Sequence, residues 1–215
     1  MKKNIALLLT AGFLFAFLAL AGCAPEEKEP NGGTQDPEPL TEAEWESAFS
    51  AKSFTNYTMS GTMVPDSGKS SEIFAQLATD GNDVLIYTKV AMDTDPQETY
   101  YKETEDTVYR YSKNGDIWIC EESDYFNSEN VYIYCAWLID QFSLFTFDES
   151  TGDYTAPSVE ANYAELSQTF ENCLVRFENK KLSHLEYKII PDNVTLSLEY
   201  SDYGTTSVTL PQVGA

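Results

Sequence analysis

Tyr109-Arg110-Tyr111-Ser112-Lys113-Asn114-Gly115-Asp116-Ile117-Trp118-Ile119 spells out a β-hairpin. Two alternating runs, rich in aromatic and β-branched residues, flank Asn-Gly, the dipeptide that tolerates the positive φ of a two-residue turn. The chain must therefore double back here as an antiparallel pair. A lone hairpin is at best marginal in water, so further strands have to lie beside it.

Upstream, strands are predicted at 107–112, 99–103, 83–92 and 72–79, the last two joined by Asp80-Gly81-Asn82. A fifth runs over 57–63, with Tyr57, Met59, Gly61 and Met63 on one face and Thr58, Ser60 and Thr62 on the other. Before it, Thr41 and Glu44 form a capping box and Leu40 and Trp45 a hydrophobic staple, opening a short helix that ends by Ser53. Downstream, Val131, Tyr134, Cys135, Leu138 and Phe142 recur at helical spacing, and Ile133 and Trp137 widen the apolar stripe. Short strands are expected at 143–147 and 153–156, and a helix at 159–170 from Tyr163, Leu166 and Phe170. Two hairpins close the chain: 173–177 with 182–190, and 194–200 with 206–210 around Asp202-Tyr203-Gly204. The fold class is α+β: a curved antiparallel sheet of about ten strands packed against two or three helices. One face should be wet, and the Trp45 and Trp137 helices should cover the other.

The N-terminus carries a different message. Lys2 and Lys3 precede an apolar run from Ile5 to Ala21, then Leu20-Ala21-Gly22-Cys23. At the short end of the spanning range of about 17 to 25 residues, that run suits a cleaved leader better than a transmembrane helix. Residues 24–40, APEEKEPNGGTQDPEPL, hold four prolines, two glycines and five acids, too little apolar surface to fold. The organisation is thus a leader (1–22), an acidic tether (23–40) and one domain (41–215), long enough for a single hydrophobic core. The net charge is -22, and losing Lys2 and Lys3 takes it to -24. So acidic a surface repels phosphate backbones and excludes nucleic acid as a partner.

No nucleophile elbow, phosphate loop, HExxH or paired CxxC occurs, and the chain is read as non-catalytic, with no cofactor and no metal. Asp93-Thr94-Asp95 and the acidic turn at 148–153 lack EF-hand spacing and read as solvated turns. The single histidine, His184, is set by strand parity opposite Arg176, on the other side of the sheet from Cys173, so the two form no thiol-imidazole pair. Cys120, Cys135 and Cys173 remain after Cys23. A bridge between Cys120 and Cys135 would close a loop of about 15 residues, worth roughly 3 kcal/mol in the chain-entropy model; the alternative is three free thiols. Aromatic residues make up 13% of the chain, 14 of them tyrosine. Strand positions favour such residues. Tyr57, Met59 and Met63, with Tyr87 and Tyr109, are the candidate lining of an adaptable apolar cleft.

Leu20-Ala21-Gly22-Cys23 resembles a bacterial lipobox, which implies a diacylglyceryl thioether at Cys23, the cell membrane as partner and an extracytoplasmic location, on a Gram-positive surface rather than in a periplasm. With the acidic tether, the N-terminal helix, the strand meander and the closing Tyr200-Ser201-Asp202-Tyr203-Gly204-Thr205-Thr206 to Leu210-Pro211, the layout is similar to the LolA and LppX/LprG-like lipoproteins. That resemblance implies an open half-barrel holding an acyl chain or other amphipathic ligand in its concavity. The competing expectation is an adhesion or scaffold module that meets a cell-envelope protein or glycan through exposed tyrosines.

Overall fold

Eleven strands pair into one antiparallel sheet: β1 (Tyr57–Pro65), β2 (Ser71–Asp80), β3 (Asp83–Met92), β4 (Gln97–Glu103), β5 (Val108–Asn114), β6 (Ile117–Glu122), β7 (Thr146–Asp148), β8 (Asp153–Tyr163), β9 (Leu166–Glu178), β10 (Lys181–Ile190) and β11 (Val194–Ser201). The computed structural model describes residues 38–66, 68–92, 96–123, 131, 134–163 and 166–214. Cys23 and its lipobox, most of the tether, Asp93-Thr94-Asp95 and part of the second expected helix lie outside them. Asp36–Ala215 form one compact unit.

The spatial order is β6-β5-β4-β3-β2-β1-β11-β10-β9-β8-β7. Two meanders, β1–β6 and β7–β11, are therefore joined along the β1–β11 pair, and the curved sheet stays open between β6 and β7. At that seam Gly61 is required: a Cβ there would stand 2.1 Å from the Ser197 carbonyl oxygen. The opening hairpin forms as expected. Asn114 pairs with Ile117, and Gly115 takes the first loop position at φ 64, where a two-residue turn needs glycine.

Two expectations fail for reasons that only pairing reveals. Residues 159–170 are not helical but form the end of the β8–β9 hairpin, where Val159 faces Phe170. Tyr163, Leu166 and Phe170 come from both arms of that hairpin, so their spacing mimics a helical period. Pro157 and Asn172, the latter at φ 54, are skipped between the pairs Ala156/Cys173 and Ser158/Glu171. The β8–β9 register is unchanged across them; the bulge lies between β9 and β10, where Asn172 and Cys173 stand against Tyr187 alone between the pairs Leu174/Glu186 and Glu171/Lys188, and it resets parity so that both Cys173 and Phe170 are buried. Residues 206–210 belong to no strand. β11 already has β10 on one side and β1 on the other, so no edge is left for a returning strand.

Helix is sparse among the described residues: α1 (Glu42–Ala48), 3-10 turns at Ala51–Ser53 and Phe142–Leu144, and helical residues at 131 and 134–136. The capping box of α1 is complete. Leu40, expected in the tether, is buried and donates its backbone N–H to the Tyr154 hydroxyl. Trp45 is fully buried, donates Nε1–H to the Leu138 carbonyl at 2.8 Å, and sits 4.9 to 5.7 Å from the rings of Phe49, Phe142, Phe145, Tyr154 and Phe177. Trp137 stacks on Phe170 at 3.9 Å, with Tyr187 at its edge. These two indoles fill the inner face of β8–β11. Among the described residues no helix is long and apolar enough to cross a membrane.

Candidate functional site

Parity divides the expected cleft between two faces. Tyr57 (0% exposed) and Met59 (2%) are core residues of the inner face, and Met63 packs against the same core. Burial pushes the Tyr57 phenol well above its ordinary range. Tyr87 pairs with Gln76, and Gln76 with Thr58. Directly paired residues share a face, so Tyr87 lies on the outer side with Thr58, away from Tyr57. Tyr109 pairs with Lys102, and Lys102 with Leu85, two residues from Tyr87, which puts Tyr109 outside as well. The five residues do not converge.

The outer face instead sets Tyr87 among three rings that were not part of the expected lining, Phe74, Tyr100 and Trp118. Phe74 stands 5.8 Å from Tyr87, Tyr87 4.7 Å from Tyr100, and Tyr100 5.3 Å from Trp118, a half-buried row from β2 to β6. Each is an aromatic of the same parity, on β2, β3, β4 and β6, a signal available once register is known. Beside them a groove of about 490 Å³ opens over β1–β3, lined among others by Ser60, Thr62, Glu72, Phe74, Tyr87 and Lys89. Its size falls in the range of small-molecule sites, about 300 to 1,000 Å³.

Polar contacts hold the row in place. The Tyr87 hydroxyl donates to Glu98 Oε1 at 3.0 Å, and Lys113 Nζ donates to Glu98 Oε2 at 3.1 Å while lying 5.0 Å over the Trp118 ring. The Lys113 bond, then the Tyr87 bond, keeps the Glu98 carboxyl below its usual range. Desolvation, reinforced by its bond to Glu98, lifts the Tyr87 phenol to about 12. At neutral pH the Tyr87 phenol therefore stays protonated and the Glu98 carboxyl ionised. The C-terminal segment also uses this face. The hydroxyls of Thr206 and Thr58 lie 3.1 Å apart, and Gly214 donates its N–H to the Trp118 carbonyl at 3.1 Å. Residues 206–214 thus lead from β1 to the β6 edge, and Val208 and the outer-facing Ala78 are buried.

Cys120 and Cys135 form no bridge: Cys120 is an exposed thiol of the outer face, paired with Tyr111, and Cys135 is a thiol buried in the core. The sheet stands between them. Cys173 is buried as well. His184 pairs with Arg176 and holds Glu199 Oε1 through Nδ1 at 2.7 Å, on the face opposite Cys173 as parity requires. The Asp148 carboxylate accepts from the Ser150 N–H and hydroxyl at 2.8 and 2.6 Å, so its own turn satisfies it. Among the described residues no group of three or more His, Cys, Asp or Glu side chains is placed to hold a metal.

No family model matches this chain, and no curated protein matches it.

Proposed function

We propose that this is a lipoprotein anchored through Cys23 on the outer side of the cell membrane, which recognises a cell-envelope protein or glycan without catalysis. The contact surface is the aromatic row and groove on the outer face of β1–β6. One observation carries this reading: Phe74, Tyr87, Tyr100 and Trp118 remain half-exposed in one continuous row, although the chain had an inner core in which to bury them. Rigid aromatic groups held at a surface supply contact area at little cost in side-chain entropy, and they dominate the energetics of interfaces. A tether rich in proline and acid would hold that face clear of the bilayer.

The half-barrel lipoproteins that the chain resembles hold acyl chains on the concave side. On the present reading it shares their layout and binds on the opposite face, because its inner candidates, Tyr57 and Met59, are committed to the core. The test uses the purified full-length chain in detergent, immobilised and exposed in turn to cell-wall glycan fragments, to envelope proteins and to a fluorescent fatty acid. Binding of a glycan or an envelope protein, weakened at least tenfold by Phe74→Ala or Tyr87→Ala with an unchanged unfolding midpoint, is the expected result. Saturable fatty-acid uptake blocked by substitution at Met59 or Met63, with no effect of Phe74→Ala, would restore the carrier reading and end this one.

A further inference from the structure

The groove interrupts a ladder of charges. Register places Asp153, Arg176, His184, Glu199, Ser60, Phe74, Lys89 and Glu98 in a single line across the outer face, each paired with the next. Toward β8, Arg176 Nε meets Asp153 Oδ1 at 2.7 Å, and His184 meets Glu199 at 2.7 Å. Toward β6, Glu98 is taken by Lys113 and by Tyr87. Between these pairs lie Ser60, Phe74 and Lys89, all three lining the groove.

Lys89 makes no ion pair among the described residues, in a chain with 35 acids against 13 lysines and arginines. Lys102, Arg110, Lys113, Arg176, Lys180 and Lys188 each hold a carboxylate. Lys89 stands beside its register partner Glu98, whose carboxylate oxygens are taken by Tyr87 and Lys113, and so brings a cation with no carboxylate of its own among the described residues into the groove. Around it, Phe74 and Tyr87 offer apolar ring faces, Ser60 and Thr62 offer hydroxyls, and Glu72 offers an acceptor.

Resting on the recognition reading, we infer that the groove takes a saccharide bearing a carboxylate: a sugar ring lies against Phe74 and Tyr87, its carboxylate meets the Lys89 ammonium, and its hydroxyls meet Ser60, Thr62 and Glu72. A fatty acid shares the carboxylate but not the rest. Its hydrocarbon chain gains most from enclosure, whereas this groove opens on a sheet face and carries hydroxyls. The net negative charge does not forbid such a ligand. Charges beyond about 8 Å are largely screened at physiological ionic strength, and a ligand carboxylate in the groove lies closer than that to Lys89.

The experiment titrates the full-length protein with trigalacturonate and with a disaccharide of N-acetylglucosamine and N-acetylmuramic acid, each beside its methyl ester, which keeps the shape and removes the charge. At least one acid should bind about tenfold or more tightly than its ester, as a hydrogen-bonded charge pair requires. Lys89→Met should erase that preference, and Phe74→Ala should weaken acid and ester alike. Equal binding of acid and ester, or a preference untouched by Lys89→Met, overturns the inference and leaves the recognition reading standing. So does an envelope protein captured in a Phe74-dependent way by a chain that binds none of these sugars. Failure of every Phe74-dependent interaction overturns both.

Discussion

The two meanders are built from similar amphipathic strands and end in different states. In β10, Leu182, Leu185, Tyr187 and Ile189 are all buried, whereas no residue of β4, β5 or β6 is. The difference lies in what covers them. Trp45, Trp137 and the phenylalanines around them stand against the inner face of β8–β11. The β4–β6 end has only half-buried tyrosines, among them Tyr101 against the edge of the core. A strand pattern states that one face is apolar; it does not state that anything arrives to cover it. The inner face of β8–β11 thus became core together with that of β1–β3, while β4–β6 keep no buried residue.

The largest expected effect separates two tryptophans. Trp45→Ala empties the centre of the covered half and should lower stability by about 3–5 kcal/mol, while Trp118→Ala in the open half should cost about 1 kcal/mol. Urea unfolding midpoints at constant slope provide the measurement, and equal losses would erase the distinction between the halves.

Thiol labelling probes the same contrast. Cys120 is exposed, whereas burial pushes the Cys173 thiol up to about 12 and the Cys135 thiol higher still. A thiol reagent at neutral pH should therefore modify Cys120 at once and the other two only as the protein unfolds. Native-state labelling of Cys135 or Cys173 at the rate of Cys120 would mean that the covered half is not sealed.

The smallest effect concerns charge, which the halves share. The Lys180 ammonium, helped by Thr41, holds the Glu44 carboxyl at about 2 instead of 4.5. The Arg176 guanidinium lowers Asp153, and Lys113 lowers Glu98 in the open half. A carboxyl with a lowered folded pKa stabilises above its unfolded value and loses that contribution as pH falls through the folded one. Stability should thus decline modestly from about pH 4.5 toward 2, because these pairs are largely solvent-exposed. Glu44→Gln and Glu98→Gln should each flatten that decline by similar amounts in acid titrations of the unfolding midpoint. A much larger effect of Glu44→Gln would make electrostatics, rather than apolar cover, the basis of the difference.

Much of the fold was legible in the residues. Alternation marked β1, β2, β3 and β10, glycine and asparagine marked their turns, and the Thr41/Glu44 capping box marked α1, because these signals act over a few residues. Parity alone set His184 against Arg176. The site was less legible: Tyr87 and Tyr109 were grouped with Tyr57 and Met59 because sequence proximity does not carry register from strand to strand. The expected Cys120–Cys135 bridge failed for the same reason, since loop length says nothing of which side of a sheet each thiol occupies.

By itself the sequence determined that most of the domain would form antiparallel hairpins with one apolar face each, since turn geometry and side-chain alternation are local. Tertiary structure alone decided that β11 closes onto β1, that residues 206–214 form no strand, and that Phe74, Tyr87, Tyr100 and Trp118 line up on the outer face. Those outcomes depend on which edges and faces are already occupied, and occupancy is a property of the assembled sheet.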